Sequence, residues 1–180
     1  MSSSAFPQAA TIEQLRQNIA TIRARIDQAC LAAGRDPSSV RLLPVSKTHP
    51  SEHLRLAYAA GCRMLGENKV QEAHQKWQEL DDLTDLEWSV IGHLQTNKAK
   101  YVARFASEFH ALDSLRLAQA LDQRLTIEDR YLDVLVQINT SGEESKYGIN
   151  PDQAPELIAQ LAQFSRLRVR GLMTLAMNST

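Results

Sequence analysis

Lys47 is the residue of this 180-residue chain best placed for nucleophilic chemistry, because it directly follows a short apolar segment, residues 41–46. The alternation of side chains along a strand places Leu43, Val45 and Lys47 on one face. An ammonium group beside two apolar side chains is poorly solvated, which favours the neutral amine that attacks aldehydes. The plainer alternative is a lysine that reaches water from a strand end. The segment around Lys47 alone does not decide between these two interpretations, so the case for Schiff-base chemistry depends on the residues elsewhere in the chain.

Polar clusters also follow three later strand-like segments. Asn68 comes after Gly66 and Glu67, His93 comes after Gly92, and a polar loop at 139–148 follows the fifth segment. Each cluster has an ordinary explanation, since such residues cap helices, form turns and lie in solvated loops. In a parallel barrel, however, the loops after the strands share one face, and active sites lie there. We therefore expect these polar residues to converge near Lys47.

The elements that must position these residues alternate along the chain. A long first helix is predicted from a capping box at Thr11 and Gln14, with Gly34 at its end. Strand-like apolar runs follow, with amphipathic helices between them, at 41–46, 63–65, 87–91, 109–112, 131–138 and 168–175. This alternation favours right-handed βαβ units and a parallel sheet, either doubly wound or closed into a barrel. No Gly-x-Gly-x-x-Gly follows the first run, which disfavours a dinucleotide-binding fold.

Composition limits the partners of this chain. Twenty basic and 21 acidic residues give a net charge of −1, so there is no electrostatic case for nucleic acid or an anionic membrane. No apolar run approaches the roughly 20 residues of a membrane span, and the first residues do not resemble a secretory signal. We therefore predict a cytoplasmic protein with a flexible tail at 1–10 and a single domain at 11–180.

One short motif matches a metal-binding pattern. His49, Glu52 and His53 fit H-x-x-E-H, which some zinc enzymes use. That site needs both histidines on a formed helix and a separate third ligand. Pro50 places His49 at the entrance of the predicted helix, and no third ligand can be identified in the sequence. We therefore predict no metal site.

Taken in order, five motifs resemble the pyridoxal phosphate homeostasis proteins, which are single-domain relatives of the N-terminal barrel of alanine racemase. The motifs lie at 43–48, 66–72, 88–98, 142–148 and 170–173. The resemblance implies an α/β fold: a TIM-like parallel barrel with an extra N-terminal helix, apparently lacking the last two βα units. It implies that Lys47 holds pyridoxal 5′-phosphate as a Schiff base. Asn68 and His93 would line the cofactor pocket, and Lys146 would lie on the loop above it.

The length of the chain departs from this resemblance. An eight-stranded barrel takes about 250 residues, and at least about 200. Members of the family carry a phosphate-binding loop in the two further units. Without that loop, the charge-assisted hydrogen bonds to the phosphate would be missing. We therefore expect the 180-residue chain alone to bind the cofactor weakly or not at all.

The resemblance implies a cofactor-binding protein of vitamin B6 homeostasis that does not turn over a substrate. Racemisation needs an acid or base on each face of the substrate, and the chain has no second domain to supply one. One alternative is a racemase-like enzyme with Lys47 as one base and Tyr147 or Lys146 as the other. A second is an aldolase that uses Lys47 without a cofactor. A third is an interaction scaffold or truncated remnant in which Lys47 has no role.

Overall fold

The computed structural model of the protein describes residues 9–143 and 147–175. In these ranges the strands are β1 Met64–Glu67, β2 Glu87–Val90, β3 Glu108–Leu112, β4 Leu132–Ile138 and β5 Leu167–Thr174. The helices are α1 Ile12–Ala32, α2 Ser51–Ala59, α3 Val70–Glu79, α4 Ala99–Phe105, α5 Leu115–Ile127 and α6 Ala154–Leu161. Short 3₁₀ turns lie at Pro37–Ser39, Thr96–Lys98 and Pro151–Gln153.

The five strands form one parallel sheet in the order in which they occur along the chain. A helix connects each strand to the next, which is the topology of a TIM barrel. The prediction of an α/β fold with parallel strands is therefore confirmed.

The first predicted strand, residues 41–46, forms only a single bridge to the sheet. Val45 pairs in parallel with Gly66, through Gly66 N–H to Pro44 O and Ser46 N–H to Gly66 O. The next hydrogen bond of this ladder would need an N–H on Pro44, which proline lacks. The segment therefore lies beside β1 where the sequence predicted a strand, but regular pairing stops after one step.

The hydrophobic core lies between the sheet and the helices. Alternate strand residues face the helices, and large side chains from β2 and β3, Trp88 and Phe109, are fully buried there. Trp88 packs edge to face on Phe105 of α4, and Phe105 in turn stacks on Trp77 of α3. Alternation along the strands and the apolar stripes of the helices together account for this layer.

The other face of the sheet is concave. Leu43, beside the first strand, and Met173, on the last strand, line one cavity, although four strand pairings separate β1 from β5. Arg41 also crosses this face to reach Glu108 on β3, with nitrogen–oxygen distances of 2.6 and 2.8 Å. Both observations require a sheet that curls toward closure, as the strands of a barrel do.

Local capping signals account for several helix boundaries. The capping box of α1 is present, with Thr11 Oγ1 accepting from Gln14 N–H and Gln14 Oε1 accepting from Thr11 N–H. Ser114 caps α5, with its Oγ accepting from Leu117 N–H. The predicted tail lies mostly outside the described residues, and Ala9 O lies 3.1 Å from His53 Nε2. Within the ranges described, no helix is both long and apolar enough to cross a membrane.

Gly92 allows a close approach between two of the strand-end loops. A Cβ atom at this position would lie 2.1 Å from the backbone oxygen of Asn68. We expect Gly92→Ala to lower the free energy of unfolding by about 1–3 kcal/mol, because one backbone must move away from the other. Urea unfolding measures this loss.

Gly171→Ala is the matched control, since a Cβ there meets no atom within 4 Å. It should change the free energy of unfolding by less than about 1 kcal/mol. Equal losses in the two variants would contradict a role for the close approach at Gly92.

Candidate functional site

The carboxyl ends of the strands surround a cavity of about 650 Å³ on the concave face of the sheet. Lys47 lies in a turn two residues beyond Val45, which forms the bridge to β1. Asn68 directly follows β1, and His93 lies three residues beyond β2. All three residues line this cavity. The structure therefore brings together three of the four predicted site residues.

The orientation of Lys47 agrees with the sequence, but its solvation does not. Leu43, Val45 and Lys47 line the same cavity, as strand alternation predicted. Both Val45 and Lys47 are nevertheless exposed. The prediction that the Lys47 amine is poorly solvated is therefore wrong for the described structure. Lys47 lies at an open mouth, within reach of a molecule from solution.

His93 forms one wall of the cavity together with Tyr147. The two rings stack face to face, with centroids 3.9 Å apart and planes inclined by 7°. His93 Nδ1 lies 3.7 Å from Asp113 Oδ2. Burial raises the pKa of the Asp113 carboxyl, although the nearby His93 opposes this shift. Tyr147 comes from the loop after β4, so this stack ties two strand-end loops together.

The fourth predicted residue, Lys146, lies outside the described residues. Tyr147, its neighbour in the chain, lines the cavity and is 58% exposed. The placement of Lys146 on the loop above the pocket therefore stays a prediction.

Three polar side chains of the cavity were not predicted from the sequence. His110 on β3, Gln137 on β4 and Thr174 on β5 all line it. Gln137 Nε2 donates to the backbone oxygen of Tyr147 at 3.2 Å, which supports the loop that carries the aromatic wall. The available signal was alternation: Glu108 and His110 are two residues apart in an apolar strand and so share its concave face.

Glu108 anchors a network of hydrogen bonds beneath the cavity. Its Oε2 lies 2.9 Å from His110 Nε2 and accepts from Ser89 Oγ at 2.6 Å, while Arg41 binds both carboxylate oxygens. Burial alone would raise the pKa of Glu108. The hydrogen bonds from His110, Arg41 and Ser89 outweigh it and hold this pKa far below its usual value. Glu108 is therefore a carboxylate that fixes the His110 ring at the floor of the cavity.

The H-x-x-E-H pattern forms no metal-binding cluster in the part of the chain that is described, where no three His, Cys, Asp or Glu residues come together as metal ligands would. The His49 and His53 rings lie edge to face, with centroids 5.5 Å apart. The absence of a metal site stays a prediction.

Comparison with known proteins identifies the family. Residues 11–180 match the family described as alanine racemase, N-terminal domain. The pyridoxal phosphate homeostasis protein of Pseudomonas aeruginosa is 45% identical over 161 residues, which are 89% of this chain and 70% of the relative. This chain belongs to the alanine racemase N-terminal domain family. Within that family, the Escherichia coli protein of the same name is 42% identical over 166 residues, covering 91% of this chain and 71% of the relative.

A solved structure from the same family agrees with the fold. PipY of Synechococcus elongatus, determined with PLP bound, superposes with a TM-score of 0.78 at 35% sequence identity. The match covers 92% of this chain and 72% of PipY. The TIM-like fold that the sequence predicted is therefore the fold of this chain's relatives as well.

The pKa of Glu108 predicts how stability depends on pH. We expect Glu108→Gln to lower the free energy of unfolding by about 1.5–3 kcal/mol near neutral pH, because Arg41 and His110 lose a charged acceptor. A carboxylate with a lowered folded-state pKa stabilises the fold above its unfolded pKa, about 4.3 for glutamate, and this contribution is lost as the pH falls further. Urea unfolding at neutral and acid pH measures it.

Glu87→Gln is the control, since Glu87 is an exposed carboxylate at the start of β2. It should change the free energy of unfolding little at any pH. If the difference between Glu108→Gln and the unaltered chain stayed constant from neutral pH to pH 3, the network would not depend on the ionised carboxylate.

Proposed function

We propose that this chain binds pyridoxal 5′-phosphate and serves vitamin B6 homeostasis, with Lys47 as the residue that forms a Schiff base with the cofactor. The observation that carries this proposal is the convergence of Lys47, Asn68 and His93 on one cavity at the strand ends. The names of the relatives from Pseudomonas aeruginosa and Escherichia coli, and PLP in the PipY structure, support it. A cytoplasmic location without nucleic-acid partners stays a prediction.

The cavity fits a flat, polar-edged aromatic cofactor. Its volume of about 650 Å³ lies within the range of small-molecule sites. Leu43, Ile91 and Met173 give it an apolar side, while Asn68, His110 and Gln137 offer amide and ring nitrogens. Such a mixture of an apolar wall and a few polar groups is typical of cofactor sites. Lys47 is the only lysine or arginine among the described residues that line it, so this lining offers the phosphate no second ammonium or guanidinium group.

Each residue has a definite part in binding. When bound, the cofactor supplies an aldehyde carbon that accepts an amine. Lys47 Nζ forms the new bond to that carbon, and the carbonyl oxygen leaves as water. The His93–Tyr147 stack gives a flat wall for an aromatic ring, and Asn68 supplies an amide for a polar substituent. Lys146, on the loop that carries Tyr147, would add a cation above the cavity.

Trapping with borohydride tests the assignment of Lys47. Because we still expect weak binding by this chain, it is incubated with an excess of pyridoxal 5′-phosphate. Reduction should then fix the cofactor on Lys47, and peptide mass spectrometry locates it. Lys47→Ala should remove that label and the accompanying absorbance. Lys69→Ala, which alters an exposed lysine outside this cavity, should change neither. Equal labelling in Lys47→Ala and the unaltered chain would overturn the proposal.

We propose binding without turnover, because racemisation needs a second acid or base opposite the lysine. One observation keeps a racemase-like enzyme as the second candidate: Tyr147 lines the same cavity as Lys47. Its ring is stacked face to face on His93, which restricts how it can approach a bound substrate.

Exchange of the α-hydrogen of amino acids with deuterium from solvent separates these two functions. With pyridoxal 5′-phosphate present, we expect no exchange above the rate for free cofactor. Lys47 would supply an acid or base on only one face of the amino acid, and racemisation needs one on each face. Proton NMR of the amino acid measures this rate. Exchange that requires both Lys47 and the hydroxyl of Tyr147, as judged with Lys47→Ala and Tyr147→Phe, would establish the enzyme instead.

A further inference from the structure

Lys47 lies in a turn, and the residues on both sides of it, Ser46 and Thr48, are hydrogen-bonded to side chains beneath the turn. We propose that Lys76, Glu67 and Glu72 are positioning residues, which fix the backbone on either side of Lys47 and so set where its amine enters the cavity. This inference rests on the proposed role of Lys47. None of the three residues lines the cavity itself. Each would act through Ser46 or Thr48.

Ser46, on the amino side of Lys47, is held by several hydrogen bonds, one of which, from His49 N–H to Ser46 O at 3.1 Å, closes the turn itself. Its N–H donates to Gly66 O at 2.9 Å, which joins it to β1. Its hydroxyl donates to Glu67 Oε1 at 2.6 Å, and its backbone oxygen accepts from Lys76 Nζ at 2.9 Å. Ser46 is buried, so water cannot replace these partners without opening the structure.

Thr48, on the carboxyl side of Lys47, has a strained backbone that one side chain stabilises. Its φ angle is +66°, in the left-handed region that a β-branched residue rarely adopts. Its N–H donates to Glu72 Oε1 at 2.9 Å. Hydrogen bonds from Lys76 and from Thr48 N–H lower the pKa of Glu72, so its carboxylate is ionised at neutral pH. Residues in strained conformations persist where their surroundings hold them in place.

Lys76 joins the two halves of this support. Its Nζ lies 2.7 Å from Glu67 Oε1, 2.8 Å from Glu72 Oε1 and 2.9 Å from Ser46 O, so all three of its protons have an acceptor. Glu67 is fully buried and Lys76 is 6% exposed. A buried ammonium is costly unless it is paired and hydrogen-bonded, and these contacts meet that condition.

The contacts of this network with the turn are all made by the residues next to Lys47. If the Lys76–Glu67 pair served only to pack α3 on β1, the contact of Lys76 with Ser46 O would be unnecessary. The contact of Glu72 with Thr48 N–H would be unnecessary as well. Because the amine must reach an aldehyde carbon along a defined path, a displacement of about 1 Å at its base can cost up to about 100-fold in rate. Loss of the network should therefore slow the reaction of Lys47 without removing Lys47.

The experiment measures the rate at which pyridoxal 5′-phosphate, trapped by borohydride, labels Lys47. The label on exposed Lys100 in the same sample serves as the internal reference. Two variants remove the support: Glu72→Ala, at a partly exposed residue, and the double variant Glu67→Gln with Lys76→Met, which leaves no unpaired buried charge. Both should lower the Lys47 rate relative to Lys100 by about tenfold.

Two further variants distinguish positioning from general stability. Glu72→Gln keeps an oxygen acceptor for Thr48 N–H and should restore most of the Lys47 rate. Arg130→Met removes hydrogen bonds to Ala103 O and Ala106 O, away from this cavity, and should destabilise the fold without changing the ratio of Lys47 to Lys100 labelling.

A Lys47 rate within twofold of the unaltered chain in both supporting variants would overturn the positioning role and leave the proposed function intact. An equal slowing in Arg130→Met would also overturn the positioning role, because general destabilisation would then explain it. Absence of labelling at Lys47 in the unaltered chain would instead overturn the proposed function, and this inference with it.

Discussion

The buried ammonium of Lys76 is the interaction on which the placement of the site depends. Removing an ammonium group from water costs several kcal/mol, so Lys76 can be buried only where each of its protons has an acceptor. Glu67 and Glu72 supply two of the acceptors, and the third is a backbone oxygen of the turn that carries Lys47. The packing of α3 against β1 and the position of Lys47 are therefore coupled through one side chain.

A second buried charge organises the concave face of the sheet. Glu108 is hydrogen-bonded to Ser89 on β2, to His110 on its own strand β3, and to Arg41 in the segment that precedes β1 in the chain. Parallel sheets are usually apolar on both faces, and here the concave face combines apolar residues with buried polar ones. It carries a paired carboxylate with a histidine above it, which draws three segments together beneath the cavity. The two networks lie on opposite faces of the sheet, one beneath the turn that carries Lys47 and the other beneath His110.

The fold was largely predictable because its signals are local. The capping box at Thr11 and the alternation of apolar runs with amphipathic stripes predicted the order of the elements. The clusters after the strands predicted the convergence of Lys47, Asn68 and His93, because parallel strands end at the same side of the sheet. The segment at 41–46 does not form the predicted strand because Pro44 has no N–H to donate. The periodicity of apolar side chains, from which the strand was predicted, carries no information about that missing donor.

The supporting residues could not be predicted in the same way. Glu67 and Lys76 are nine residues apart, one at the end of a strand and one in the following helix, and no sequence period places them together. In the sequence, Lys76 is an ordinary helical lysine that could equally pair with Glu72 on a solvated surface. Its burial depends on the angle at which α3 crosses β1, which is a tertiary property. The prediction that Lys47 is poorly solvated was wrong for a related reason. Strand alternation gives the direction of a side chain but not the extent to which other residues bury it.

An exposed amine on a fixed backbone suits binding more than turnover. An enzyme that forms reactive intermediates gains from closing its site, since water then cannot intercept them. Lys47 is open to solvent, and Tyr147 in the facing wall is more than half exposed, so a molecule can enter and leave without a large rearrangement. Because the bond between an amine and an aldehyde forms with loss of water and reverses by its addition, open access to water favours both loading and release. In the proposed function, the support beneath the turn would set how readily the amine meets the aldehyde, and the open mouth would let the same bond be undone.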